Sequence, residues 1–234
     1  MGEFITVVDW IATAVFAISG ALAAAEQKND ILGFILFGTI TGVGGGTLRD
    51  LLLGAEPVFW MRHTEYLWVC LLASAGTWFL APQLASLHRV LVWADAVGMA
   101  LFSVLGAVKA IELDAPMIVA VGMGVMTATF GSMIRDTLLN REPVLLGPEI
   151  YVTAALLGAC CYSLLQAFAF TSSFAFPVAI GSAFLPCEPG ESVRVAVAQG
   201  RPLNLFWTPR GVRERDRNEG VPHTSTAGGL LQSE

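Results

Sequence analysis

The chain has 234 residues, of which 55% are hydrophobic and 14% charged, with a mean hydropathy of +0.65. Soluble domains carry ~45–50% apolar and ~25% charged residues, so an ordinary soluble globular domain is excluded. The net charge of −6 is modest, and no basic patch interleaves with aromatics, so nucleic acid is not expected as a partner.

Segments of spanning length with few charges recur at 4–25, 31–53, 66–86, 90–111, 116–139 and 149–170, with a shorter one at 174–186. They predict an all-α polytopic membrane protein with seven spans. The first segment lacks a basic start and a clear cleavage site and carries Asp9, which argues for a retained helix over a signal peptide. Asp9 and Asp95 stand near the starts of the first and fourth spans, where a carboxylate suits the helix dipole, and capping is the expected role.

The second span holds "GGGTLRD", residues 44–50. Three consecutive glycines, Gly44, Gly45 and Gly46, weaken a helix by about 1 kcal/mol each in intrinsic propensity, and Arg49 and Asp50 then place charge in an apolar run. Gly131, Ser132, Arg135 and Asp136 repeat the pattern in the fifth span. Non-helical backbone at membrane depth is tolerated only inside protein or beside a wet cavity, so an interrupted helix with freed carbonyls and a half-helix starting near Thr47 predicts a solute pathway. Glycines that let helices cross closely are the alternative. Adjacent Arg and Asp side chains point about 100° apart on a helix, which predicts that each Arg pairs across the repeat or with a carbonyl near the break. Ionisable groups inside spans are functional candidates, while arginines near helix ends also snorkel to the interface.

The chain repeats itself at an offset of 86 residues without a gap. Asp9 falls on Asp95, Phe16 on Phe102, Gly20 on Gly106, Gly38 on Gly124, Thr41 on Thr127, Gly45 on Gly131, Arg49-Asp50 on Arg135-Asp136, and Glu56-Pro57 on Glu142-Pro143. Three spans per copy force the second copy to enter from the opposite face, giving an inverted repeat with its pathway at the repeat interface. The expected organisation is a first repeat at 1–88, a second at 89–172, a weak seventh helix at 173–186 and a polar, disordered tail at 187–234.

Lys109 breaks the symmetry, because its equivalent is Ala23 whereas the following Glu112 matches Glu26. An electrostatic gate and an interfacial anchor both fit a lone lysine there. Thr41, Thr127, Thr129, Ser19, Ser103 and Ser132 place hydroxyls on the same spans, either lining a polar route or bonding back to helix carbonyls.

Cys70, Cys160, Cys161 and Cys187 form no C-x-x-C, and His63, His88 and His223 lie far apart, so packing cysteines and no metal site are expected. Metalloprotease, Walker, nucleophile-elbow and dinucleotide fingerprints are absent from the sequence, and neither enzyme chemistry nor a cofactor is expected. Lys28, Arg89, Arg135, Arg141 and the six tail arginines outnumber Arg49, Arg62 and Lys109, which orients the N-terminus outside and the C-terminus in the cytoplasm.

"SGALAA", "GVGGGTLRDLLLG", "LGAVKAIEL" and "FGSMIRDTLL" resemble the prokaryotic branch of the trimeric intracellular cation (TRIC) channels over about residues 5–170. The resemblance implies seven helices as a 3+3 inverted repeat plus one, kinked second and fifth spans, a homotrimer in the bacterial cytoplasmic membrane, and one potassium-permeable pore per protomer, with sodium as a second permeant ion. By that resemblance Gly44, Gly45, Gly46, Arg49, Asp50, Gly131, Arg135 and Asp136 are the pore-motif positions. Some bacterial relatives are labelled glycine transporters, so a secondary transporter for a small zwitterion is the alternative. The likeness fades at "SFAFPVAIGSAFLP", which is short for a span and holds Pro177.

Overall fold

The computed structural model describes residues 2–84, 86–141, 150–167 and 172–184, and these are all-helical. In chain order they form α1 (Gly2–Glu26), α2 (Ile31–Leu53), a short α3 (Phe59–Arg62), α4 (Glu65–Leu80) with a 3-10 turn at Ala81–Gln83, α5 (Leu87–Glu112), α6 (Met117–Leu138), α7 (Ile150–Ala167) and α8 (Ser172–Phe184). Four of them, α1, α2, α5 and α6, are long and apolar enough to cross a membrane. A helix satisfies its own backbone, which is why apolar sequence of this length takes no other form in lipid. The short α3 lies in what the sequence reads as a plain connection, and α8 covers 13 residues. Glu142-Pro143, Cys187, His223 and the tail at 187–234 lie outside the described residues.

The ends of α2 follow local chemistry. The Asp30 side chain accepts the Gly33 amide at 2.9 Å, and Gly54 closes the helix in the left-handed region at φ 67°. At Asn140, 86 positions on, the same left-handed turn follows α6, and Lys28 and Asp114 form another equivalent pair, both at φ 57°. The turn bonds match too: Ala55 N–H donates to Asp50 O at 2.8 Å, and Arg141 N–H to Asp136 O at 2.9 Å.

Packing follows the same offset. α1, α2, α5 and α6 form the centre, α4 packs on α1 and α2, and α7 packs on α5 and α6 and is covered by α8. The rings of Phe16 and Phe102, equivalent residues, meet each other at 5.1 Å. Phe16 faces Gly98 while Ser19 faces Asp95, so α1 and α5 run antiparallel. The opposed direction of equivalent helices is what an inverted repeat requires.

The structure corrects one expectation about the spans. α2 and α6 run as α-helix through Gly44–Gly46 and Gly131 respectively, without the break and freed carbonyls read from the glycines. Helical hydrogen bonding outweighs a cost of about 1 kcal/mol per glycine, and the missing side chains let a second helix pack against the backbone.

Candidate functional site

At the centre α2 crosses α6 with almost no space between backbones. A Cβ added at Gly45 would stand 2.1 Å from Thr127 O, and one at Gly131 would stand 2.5 Å from Thr41 O. The two contacts exchange under the 86-residue offset, so the crossing sits on the repeat axis. A Cβ added at Gly44 would stand 3.8 Å from Gly131 Cα, an ordinary contact, and one at Gly46 would meet the ring of Phe59. Close crossing is therefore the use made of Gly45 and Gly131.

The hydroxyls near this crossing bond within their own helices. Thr41 donates to Phe37 O and Thr127 to Met123 O, each at 2.6 Å; Thr129 donates to Val125 O at 2.9 Å, Ser132 to Thr129 O at 3.0 Å, and Ser103 to Ala100 O at 2.9 Å. This is the back-bonded arrangement, which leaves each hydroxyl proton committed.

The two Arg-Asp motifs differ. Arg135 is fully buried and forks onto Asp95 of α5, Nη1 to Oδ1 at 2.8 Å and Nη2 to Oδ2 at 2.9 Å, while its Nε donates to Asp136 Oδ1 at 2.7 Å. Ser19 of α1 completes the cluster, accepting from Arg135 Nη1 and donating to Asp95 Oδ1. A bidentate guanidinium–carboxylate pair is among the strongest polar contacts, and a buried cation without one would not be retained. Beyond it, Glu26 binds Arg141 and lies 3.4 Å from His88 Nδ1, and Gln27 Nε2 donates to Leu139 O at 2.6 Å. Described side chains thus pack against one another at this end of the molecule.

In the first repeat the same pieces are arranged otherwise. Arg49 bonds its neighbour Asp50, Nε to Oδ1 at 2.9 Å and Nη2 to Oδ1 at 2.7 Å, and lies over the Phe59 ring at 5.7 Å. Asp50 Oδ2 accepts the Phe59 amide at 2.8 Å, which fixes the start of α3. Phe59 stacks edge-on against Tyr66 at 4.8 Å, and the Tyr66 hydroxyl donates to Asp9 Oδ2 at 2.7 Å. Asp9, the counterpart of Asp95, thus takes a phenol where Asp95 takes a guanidinium.

A cavity of about 240 Å³ opens at this end, lined by Asp9, Arg49, Phe59, Tyr66, Lys109 and Glu112 among others. Lys109 Nζ stands 3.7 Å from Glu112 at its edge. The asymmetric lysine noticed in the sequence therefore shares one space with Arg49 and Asp9, carried there by three different helices.

Of the residues singled out in the sequence, the structure gathers Gly44, Gly45, Thr41, Thr127 and Gly131 at the crossing, Arg135 with Asp136 at the packed end, and Arg49, Asp50 and Lys109 at the open end. Neighbouring Arg and Asp side chains do bond each other, against the expectation from helical angle, because the arginine stem is long enough to bring its guanidinium back to the adjacent carboxylate, while Arg135 also reaches Asp95 and Ser19 on other helices. Asp9 and Asp95 lie within α1 and α5 and cap neither helix. An acid inside an apolar span at equivalent positions in both repeats is the sequence signal that marks Asp9 and Asp95 as site residues. Tyr66, Phe59 and Ser19 gave weaker signals, since each acts only through a partner distant in sequence. Among the described residues no group of three or more His, Cys, Asp or Glu side chains is placed to hold a metal ion, and Cys70, Cys160 and Cys161 are free.

Comparisons with known proteins follow the same outline. A family model described as "Glycine transporter" matches twice, at residues 6–82 and 92–167. A UPF0126 membrane protein of Vibrio cholerae is 38% identical over 179 residues, covering 76% of this chain and 75% of that one. The UPF0126 inner membrane protein YadS of Escherichia coli K12 is 41% identical over 156 residues, covering 66% and 75%. Among solved structures, the TRIC trimeric intracellular cation channel orthologue from Rhodobacter sphaeroides superposes with a TM-score of 0.78 at 42% identity, over 83% of this chain and 98% of that one. A prokaryotic TRIC channel crystallised in 0.5 M KCl gives 0.76 at 29% identity, over 83% and 98%. Sequence, fold and the doubled family match agree: the chain belongs to the UPF0126 or "Glycine transporter" family of membrane proteins, whose fold is that of the TRIC channels.

Proposed function

We propose that this protein is a homotrimeric channel for monovalent cations, potassium first, with one pathway per protomer at the interface of the two repeats. The observation that carries the reading is the cavity at the open end, which runs in between α1, α2 and α5 and presents carboxylate, phenol and guanidinium groups where a membrane protein otherwise buries apolar side chains. Polar side chains at such depth are kept where water and ions pass. In this reading Gly44, Gly45, Gly46, Thr41, Thr127, Thr129, Gly131 and Ser132 form the middle of the route, which the α2–α6 crossing holds closed and which must part for an ion to pass. Arg49 and Lys109 line the route's open end, with Asp50 bonded to Arg49, and Arg135 and Asp136 stand at its other end. Structural neighbours described as TRIC cation channels support the reading.

The N-terminus outside and C-terminus in the cytoplasm of an inner membrane fit the arginine distribution, and lipid surrounds the exposed leucines and tryptophans of α2 and α4. No catalytic residue and no cofactor are invoked. A secondary transporter for a small zwitterion is favoured by one observation, the presence of both charge signs around one small cavity. Purified protein in a planar bilayer under asymmetric KCl separates the two: discrete currents reversing toward the potassium potential support the channel. Their absence, together with saturable glycine uptake into proteoliposomes, overturns it.

A further inference from the structure

The two repeats agree in their turns, in their glycine contacts and in the ring pair on their axis, yet differ at one place. In the second repeat the carboxylate of Asp95 is saturated by Arg135 and Ser19. In the first, Asp9 makes no ion pair among the described residues, and its one hydrogen bond comes from the neutral Tyr66 hydroxyl to Oδ2. Arg49, the residue equivalent to Arg135, is turned away onto Asp50 and Phe59. Leu105 occupies the position equivalent to Ser19, so the hydroxyl that steadies the second-repeat pair has no counterpart.

We propose that Asp9 is the docking site for the permeant monovalent cation, which takes the place beside Asp9 that the Arg135 guanidinium holds beside Asp95. This rests on the channel reading given above. Three features support it. The cavity beside Asp9 has about 240 Å³, and at ~30 Å³ of liquid per water it has room for about eight waters, enough for an ion that keeps much of its hydration. Among the described residues the Oδ1 atom takes no hydrogen bond, while the Tyr66 oxygen, its proton given to Oδ2, keeps lone pairs free to accept. The other charges nearby are already matched, Arg49 by Asp50 and Lys109 by Glu112, which leaves Asp9 as the uncompensated one. One carboxylate and one phenol oxygen are too few ligands for calcium or magnesium, which gather six or more oxygens or demand octahedral geometry. They suit an ion held loosely enough to leave again. Arg49 is the natural competitor: a swing onto Asp9 would reproduce the Arg135–Asp95 pair and expel the ion.

The test is single-channel conductance of the full-length protein in planar bilayers, with KCl varied on one side at a time. Asp9→Asn is expected to raise the half-saturating KCl concentration about fivefold, which converts to ~1 kcal/mol, the interaction of unit charges ~4 Å apart in water. The shift should appear only when KCl is varied on the side of the α1 N-terminus, and Asp9→Glu should restore most of it. An unchanged half-saturation, or an equal shift for Glu112→Gln, overturns the site while leaving the channel intact. Absence of wild-type current overturns the channel reading instead. Where Asp9→Asn does not assemble, Tyr66→Phe keeps the carboxylate but removes the phenol oxygen, and is expected to raise the half-saturating concentration; no change there also overturns the site.

Discussion

Adding one methyl group at the helix crossing tests how the fold is held. An alanine Cβ at Gly45 would stand 2.1 Å from Thr127 O, and at Gly131 2.5 Å from Thr41 O. Ordinary contact starts at 3.4 Å, and the obstacle is backbone in both cases, so α2 and α6 must part by about 1 Å. Alanine also gains about 1 kcal/mol of helix propensity over glycine. Gly122, on α6 with nothing within 4 Å of its built Cβ, isolates that gain. The propensity terms then cancel between Gly131→Ala and Gly122→Ala, and the difference is the overpacking cost, about 1–3 kcal/mol. Thermal unfolding in detergent, followed by tryptophan fluorescence and by survival of the assembled peak in gel filtration, should rank Gly122→Ala at or above wild type and Gly45→Ala and Gly131→Ala several degrees below it. Because both alanines open the same crossing, the double variant should lose less than the sum. Equal midpoints for Gly131→Ala and Gly122→Ala would refute the backbone-contact reasoning.

The buried ion pair gives a second expectation: Asp95→Ala leaves Arg135 short of its bidentate partner and should cost about 3–5 kcal/mol, read as loss of folded protein. Arg49→Gln, beside an open cavity, should be tolerated far better in the same unfolding assay. Lys109→Ala should raise inward or outward cation current but not both equally, because Ala23 offers no matching charge; a symmetric or null response in single-channel recording would assign Lys109 to interfacial anchoring. Thr129→Val exchanges a hydroxyl bonded to Val125 O for a methyl group at the middle of the proposed route and should lower conductance; an unchanged conductance would take Thr129 out of the route. Mass measurement across detergent concentrations should give three chains, and monomer throughout would count against the trimer.

The sequence made the duplication plain because glycines, an Arg-Asp pair and a Glu-Pro pair are rare enough in apolar spans for their spacing to carry information. It also brought out Lys109 as the residue without a counterpart. What it did not disclose was how each pair would be partnered. Arg49 and Arg135 share the same Arg-Asp motif, yet only Arg135 is locked onto a span carboxylate, and the serine and leucine that differ between the two ends, Ser19 and Leu105, lie far from each arginine in sequence. The glycine run misled for a related reason. Local propensity predicts weakness there, while the choice between a broken helix and a tight crossing depends on whether a second backbone lies alongside, and only the tertiary fold supplies it.

The exchange of Gly45–Thr127 with Gly131–Thr41, and the meeting of Phe16 with Phe102, has a historical consequence. Contacts that map onto themselves when the two halves trade places are those of two identical three-helix chains lying head to tail. A half-length ancestor inserted both ways up would have made this framework as a dual-topology dimer, before fusion tied one copy to each orientation. Fusion released the two copies from identity, after which serine and leucine could settle at one equivalent pair of positions, and lysine and alanine at another, with only one end of the molecule affected by each change.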